Sequence, residues 1–203
     1  MPATMQNRWQ IDEWFIDDAK FNSLYPPRIQ KLADQHWTPL QVAKYAADFL
    51  VPEDGVKVLD IGSGAGKFCL AASHYKSKGF FYGIEQRIEL INSAREAKSR
   101  LGINNLSFMH GNFTQIDFKQ FDHFYFYNSF YENIAGTAKI DYTIEYSLSL
   151  YNYYNSYLFN QLEKMPFGTR VATYHTWNNQ MPPGYKLVET QMDKLLNFWI
   201  KSQ

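Results

Sequence analysis

The spacing of apolar and polar positions changes period several times along the chain, and the changes fall at glycines and prolines. Val56 to Ile61 is a short apolar run with one interior aspartate, which predicts a strand; Gly66 to His74 reads as the helix after it. "GFFYGIE" at 79–85 predicts a second strand and residues 87–101 a second helix, whose Leu90, Ala94, Ala97 and Leu101 form one stripe able to lie on a sheet. "NLSFMHG" at 105–111 is a third strand, and "HFYFYN" at 123–128 a fourth without polar alternation, as expected of a strand covered on both faces. A helical stripe through Ile144, Leu148, Tyr151, Leu158 and Leu162 predicts a helix from about Asp141 to Glu163, closed by Pro166 and Gly168. "TRVATYH" at 169–175 is a fifth strand, and the runs at 185–192 and 194–201 lie too close together for a crossover, so they form a hairpin.

Ahead of this alternation, residues 1–36 mix polar residues with Trp9, Trp14, Phe15, Phe21 and Tyr25 and break at Pro26-Pro27. They read as a short helix and a connection whose aromatics either form a lid over the ligand site or, the favoured reading, pack on the sheet's edge. In "TPLQ", Thr38 stands where an N-cap hydroxyl belongs and Pro39 at the first helical position, predicting a capping box and a helix to about Phe49. The expected architecture is α/β: a doubly wound, mostly parallel seven-strand sheet with a C-terminal antiparallel hairpin and helices on both faces. Residues 1–37 would form an N-terminal helical and aromatic extension, and 38–203 the ligand-binding domain.

Composition narrows the picture. Twenty basic and twenty acidic residues cancel, so there is no broad cationic footprint, and no strong nucleic-acid signal is expected. The polar start lacks the apolar core of a signal peptide, the single Cys69 cannot form an internal disulfide, and no run approaches the roughly 18 apolar residues of a membrane span. A cytoplasmic protein without a membrane partner is the expectation. His36, His74, His110 and His123 show no metal-ligand spacing with carboxylates or Cys69, so no metal is proposed. Aromatic residues make up 18% of the chain and crowd between Phe121 and Phe159, a bias that needs a structural cause.

The candidate chemistry begins at "VLDIGSGAG", residues 58–66. In a parallel sheet ligands bind at the carboxyl ends of the strands, and glycines there let backbone amides approach a polar or anionic group. Glu85 ends the second strand 21 residues beyond Gly64, where a carboxylate can accept both hydroxyl hydrogens of a ribose. These features fit a dinucleotide and a nucleoside cofactor alike, and the spacing separates them. A dinucleotide turn reads GxGxxG, whereas this one reads GxGxG with Lys67 where the third glycine would be. "GSGAGK" is also one residue short of a phosphate-cradling loop and lacks the Ser or Thr after its lysine.

With Asp60 two residues before the first glycine and Glu85 closing the next strand, the sequence resembles the class I S-adenosylmethionine-dependent methyltransferases from about Thr38 onward. The resemblance implies S-adenosylmethionine as cofactor, with Gly62, Ser63, Gly64 and Gly66 at its amino-acid end, Asp60 supporting them and Glu85 on the ribose. Asn112, in "HGNF", stands where the family often has an aspartate beside the adenine; Phe113 would stack on or beside the base. Thr38 and Tyr127 complete the cofactor set.

The segment after the fourth strand, "YNSFYEN" at 127–133, would face the reacting methyl. It lacks the NPPY or DPPY signature of the amino-methylating nucleic-acid branch, and over a few residues it resembles the Asn-Asn-Phe segment of the non-SET protein-lysine methyltransferases. That implies a protein lysine or other amine as acceptor, with Asn128 orienting it, Tyr127, Phe130 and Tyr131 as apolar walls and Glu132 as proton acceptor. A small-molecule methyltransferase, a cofactor-binding protein without transfer activity and a nicotinamide-dependent oxidoreductase are the rival readings.

Overall fold

The computed structural model describes residues 11–176 and 181–202; Trp9 lies outside them. Its centre is one seven-stranded sheet: β1 (Lys57–Ile61), β2 (Phe80–Glu85), β3 (Leu106–His110), β4 (His123–Tyr127), β5 (Arg170–Tyr174), β6 (Tyr185–Gln191) and β7 (Leu196–Lys201). The spatial order is β3-β2-β1-β4-β5-β7-β6. The first five strands are parallel, and β7 inserts antiparallel between β5 and β6, with a register irregularity between Leu187 and Glu189. The connections reverse direction at β1 and β4, so the crevice at their carboxyl ends is where this topology places a ligand.

The longer helices are α4 (Leu40–Leu50), α5 (Lys67–Tyr75), α6 (Ile88–Leu101) and α7 (Leu148–Glu163), preceded by three short ones, α1 (Asp18–Asn22), α2 (Pro27–Gln30) and α3 (Ala33–His36). Alternate strand residues feed two cores. Val58, Phe81 and Tyr125 pack with the small and aliphatic faces of α4, α5 and α6, and the Phe68 and Tyr125 rings stack at 3.7 Å. Leu59, Ile84, Phe124 and Phe126 face the other way, toward α7 and two short turns at Phe113–Gln115 and Phe118–Gln120. Of the four longer helices, three cover one face and one the other. Aromatic rings close that second face, with Phe113, Phe118, Phe121, Phe124, Phe126, Phe130 and Tyr154 in one cluster. That explains the aromatic crowding, because Phe and Tyr bury the most area per backbone position.

Two boundaries differ from expectation. Thr38 does not cap α4: the helix starts at Leu40 behind Pro39 with no side-chain cap, and the Thr38 hydroxyl lies 2.9 Å from that of Tyr125 in the core. The helix expected from Asp141 begins only at Leu148, behind the Ser147 hydroxyl, which accepts from Leu150 N at 3.1 Å. Asp141 instead folds its own neighbourhood, accepting from Thr143 N at 2.9 Å. Among the described residues, no helix is long and apolar enough to cross a membrane.

Residues 11–37 pack on the first core. Phe15 stacks on His74 at 3.9 Å, and Phe21, Leu24, Tyr25, Ile29 and Trp37 are buried in the same cluster as α4 and α5.

Candidate active site

The glycine turn is shaped from both sides. Gly62, Gly64 and Gly66 have φ of 75°, 54° and 83°, the left-handed region that disfavours a side chain. At Gly62 a Cβ would lie 2.5 Å from Ser129, whose hydroxyl donates to Ile61 O at 2.6 Å; at Gly66 it would overlap the Phe108 ring. Gly64 meets nothing within 4 Å, and its backbone lines open space. Ser63 turns away from that space: its side chain presses on Gly83, and its hydroxyl is buried with no hydrogen-bond partner. Ser63, expected with its neighbouring glycines at the amino-acid end of a cofactor, packs its side chain against Gly83 of β2. Asp60 lies below the turn, accepting from the Cys69 thiol at 3.4 Å, and burial pushes its carboxyl up to about 8. Gly66 and Asp60 act from beneath the pocket, as does Thr38 through Tyr125.

Lys67 explains why this turn carries a lysine. Its buried ammonium pairs with Asp18, donates to Asn22 Oδ1 at 2.9 Å and lies 5.5 Å and 5.6 Å from the Phe21 and Trp37 rings. Tyr25 adds an O–H donated to Ala65 O at 2.8 Å. The N-terminal segment is thus fastened to the turn, and Asp34, Gln35 and His36 reach the rim of the pocket.

That pocket, about 610 Å³, opens at the carboxyl ends of β1, β2, β4 and β5. On one side stand Gly62, Gly64, Ile84, Glu85, Gln86 and Gly111; on the other Tyr127, Asn128, Phe130, Tyr131 and Glu132. Glu85 is buried. It accepts from Gly64 N at 3.2 Å through one oxygen and from Arg87 N at 3.0 Å through the other. Burial pushes its carboxyl up, while Arg87 and the two backbone donors pull it back. Asn112 accepts from Thr114 N at 3.0 Å and donates to Gln86 Oε1 at 3.1 Å and Tyr154 Oη at 2.9 Å, holding the turn that presents Phe113. Phe113 stacks on Phe130 at 4.9 Å and forms an apolar wall.

Asn128 has φ 39°, and its side-chain amide makes no hydrogen bond with a described residue. His175, at the end of β5, has φ 53° and also lines the pocket; burial lowers its pKa, as it does for His36. Both residues sit at strand ends in the left-handed region, which Asn and His enter more readily than most side chains. Glu132 is not a free base. One of its oxygens, Oε2, accepts from Arg87 at 2.8 Å, from the backbone of Ile140 at 2.9 Å and from the Tyr146 hydroxyl at 3.1 Å. Tyr131 is half-exposed at the rim. The sequence reading missed Arg87, Gln86 and the 34–36 rim, whose partners lie far off in the chain. Among the described residues, no group of His, Cys, Asp and Glu could hold a metal.

A nucleoside with a cationic amino-acid end fits these walls. Glycine amide backbone, a buried carboxylate and an apolar ring stand in sequence around the pocket, and carboxylates outnumber its single arginine. The sheet order, the antiparallel β7 and the glycine turn define the fold of the class I methyltransferases. Residues 52–143 match the family model described as a methyltransferase domain.

Among curated relatives, a tRNA (guanine-N(7)-)-methyltransferase of Microcystis aeruginosa is 43% identical over 54 residues, 27% of this chain and 26% of that protein. The 23S rRNA (uracil(1939)-C(5))-methyltransferase RlmD of Shewanella is 35% identical over 66 residues, 32% of this chain and 14% of that protein. The chain thus spans about a quarter or less of the lengths of these relatives. An RNA methyltransferase from Salinibacter ruber in complex with S-adenosyl-L-homocysteine has a similar structure, with TM-score 0.54 and 17% identity over 81% of this chain and 90% of that one.

These relatives overturn the expectation of a protein amine or metabolite as acceptor with no nucleic-acid signal, because by name they act on tRNA and rRNA. Zero net charge is a whole-chain sum and does not exclude recognition of a base at one pocket. The missing NPPY or DPPY signature concerns exocyclic amines, whereas guanine N7 is a ring nitrogen whose lone pair is free at neutral pH.

Proposed function

We propose that the chain is an S-adenosylmethionine-dependent methyltransferase whose acceptor is a ring nitrogen of a nucleobase in RNA. The observation that carries the first part is the pocket itself. It joins the Gly62 and Gly64 backbone and the Glu85 carboxylate on one wall to Tyr127, Asn128 and Phe130 on the other. When bound, the cofactor supplies an electrophilic methyl carbon on a sulfonium. Gly62 and Gly64 would flank its amino-acid end, Glu85 its ribose, and Asn112 and Phe113 its base. Alignment of donor and acceptor can supply roughly 7 to 11 kcal/mol of the barrier, so positioning is the main task of the opposite wall.

Three features support the ring nitrogen. The Glu132 carboxylate is engaged by Arg87, Ile140 and Tyr146, which suits an acceptor that already carries a free lone pair and needs no base. The Asn128 amide, which makes no hydrogen bond with a described residue, can both donate to and accept from a base edge. Methylation of a pyrimidine carbon needs a nucleophile to activate the ring, and Cys69 is fully buried. Asp34, Glu85, Glu132 and Glu145 stand against one Arg87 in the pocket lining, so a nucleotide would enter base first, with its phosphates left outside.

Calorimetry with S-adenosylhomocysteine and with a nicotinamide dinucleotide tests the donor, and binding of only the dinucleotide would sink it. Transfer of label from S-adenosylmethionine to total tRNA, total rRNA and a nuclease-treated extract tests the acceptor. Label that survives nuclease treatment on protein refutes RNA. Asn128→Gly, which keeps the φ of 39° without strain, should abolish transfer while leaving cofactor affinity near normal.

A further inference from the structure

Arg87 follows the second strand by two residues, and its guanidinium is 6% exposed. Its Nη1 lies 3.4 Å from Glu85 Oε1, its Nη2 donates to Glu132 at 2.8 Å and to the Tyr146 hydroxyl at 2.6 Å, and its Nε lies 3.4 Å from Asp141. The three partners beyond Glu85 all belong to the stretch 131–147, which contains one turn of regular structure, Tyr131–Asn133. Other hydrogen bonds of that stretch are internal or to its neighbours: Thr137 Oγ1 to Ile134 O, Lys139 Nζ to Ile134 O, Ile140 N to Glu132, Ser147 N to Asn133 Oδ1. Among the described residues, its side-chain hydrogen bonds to the strands and helices outside 128–151 all run through Arg87.

We propose that Arg87 is a positioning residue that couples the carboxylate of the cofactor wall to the order of the acceptor wall. A ligand hydroxyl on Glu85 takes up lone pairs of the same carboxylate that Arg87 shares, and fixes its direction. A fixed Glu85 fixes the guanidinium, whose planar fork then holds Glu132, Tyr146 and Asp141 in one arrangement. Cofactor bound on one wall therefore assembles the other, and an acceptor meets a finished site only after the donor is in place. A lysine at this position would keep the charge but not the fork, because an ammonium cannot serve carboxylates in three directions within one plane.

The inference rests on the reading that the pocket takes S-adenosylmethionine, and hydrogen exchange on the full chain separates the two. In the unaltered protein, S-adenosylhomocysteine should slow exchange both at 62–66 and at 131–147, the latter at least threefold. In Arg87→Lys, and independently in Glu132→Gln, protection at 62–66 should remain and that at 131–147 should fall away. In transfer assays both variants should raise the KM for the acceptor tenfold or more, with a smaller change in cofactor Kd. Equal protection of 131–147 in the unaltered protein and both variants overturns the coupling. Absence of any protection in the unaltered protein overturns the cofactor reading and the coupling with it.

Discussion

The two walls of the pocket are built on opposite plans. The wall proposed for the donor, here the donor wall, is backbone held by backbone: Gly62 N and Ser63 N both donate to Ile84 O, at 3.0 and 2.9 Å, and Gly62 and Gly66 leave no room for a Cβ. The acceptor wall is side chain held by side chain, with a buried arginine at the centre of three carboxylates. A backbone site tolerates almost no substitution and has one geometry before any ligand arrives. A side-chain site can be re-cut by a few mutations, which suits a fold that keeps its donor and changes its acceptor.

Disturbing the donor wall should cost the most. Gly66→Ala combines a positive φ with an overlap on Phe108 and should destabilise the protein by about 2–5 kcal/mol, read as a lowered urea midpoint. An unchanged midpoint would show that the turn can relax, and would weaken the contrast. Glu85→Ala should weaken S-adenosylhomocysteine binding by about 1.5–3 kcal/mol, roughly tenfold to more than a hundredfold, measured by calorimetry. Unaltered affinity would remove Glu85 from the donor wall.

Asp60 gives the donor wall a pH signature. A carboxyl held at about 8 is favoured protonated in the folded chain, so its contribution is intact below the ordinary carboxylate range and drains away as pH rises toward 8. The slope is at most about 1.4 kcal/mol per pH unit. Asp60→Asn should flatten it, so that the variant gains on the unaltered protein in Tm from pH 5 to pH 7.5. Parallel curves would refute the assignment. The smallest effect belongs to the edge of the acceptor wall. Ser147→Ala removes the cap of α7 and should cost about 1 kcal/mol by the same urea measurement, without changing cofactor Kd.

The donor wall was also the legible one. Its glycines, Asp60 and Glu85 lie at the ends of strands whose apolar runs announce themselves, and Asp60 and Glu85 find their partners within about 21 residues of chain. The acceptor wall was not. Arg87 meets Glu132, Asp141 and Tyr146 at separations of 45, 54 and 59 residues, a distance at which no local pattern speaks. The start of α7 was misread for a different reason. Ile144 continues the helical stripe, and periodicity outweighed the Ser147 cap that marks the true beginning. Thr38 shows the reverse error, a capping pattern in sequence whose hydroxyl found a better partner in Tyr125. The RNA relatives could not be foreseen from net charge, because a sum over the chain carries no position.

Lys67 has a consequence for how the molecule assembles. The turn at 61–66 is the most local piece of the site, yet its helix opens with a buried ammonium whose partners, Asp18 and Asn22, lie 49 and 45 residues earlier. A cation that cannot be buried alone delays completion of the turn until those residues arrive. The shortest motif in the chain thereby acquires a long contact order, and the folding rate should follow the docking of the N-terminal segment rather than closure of the glycine loop.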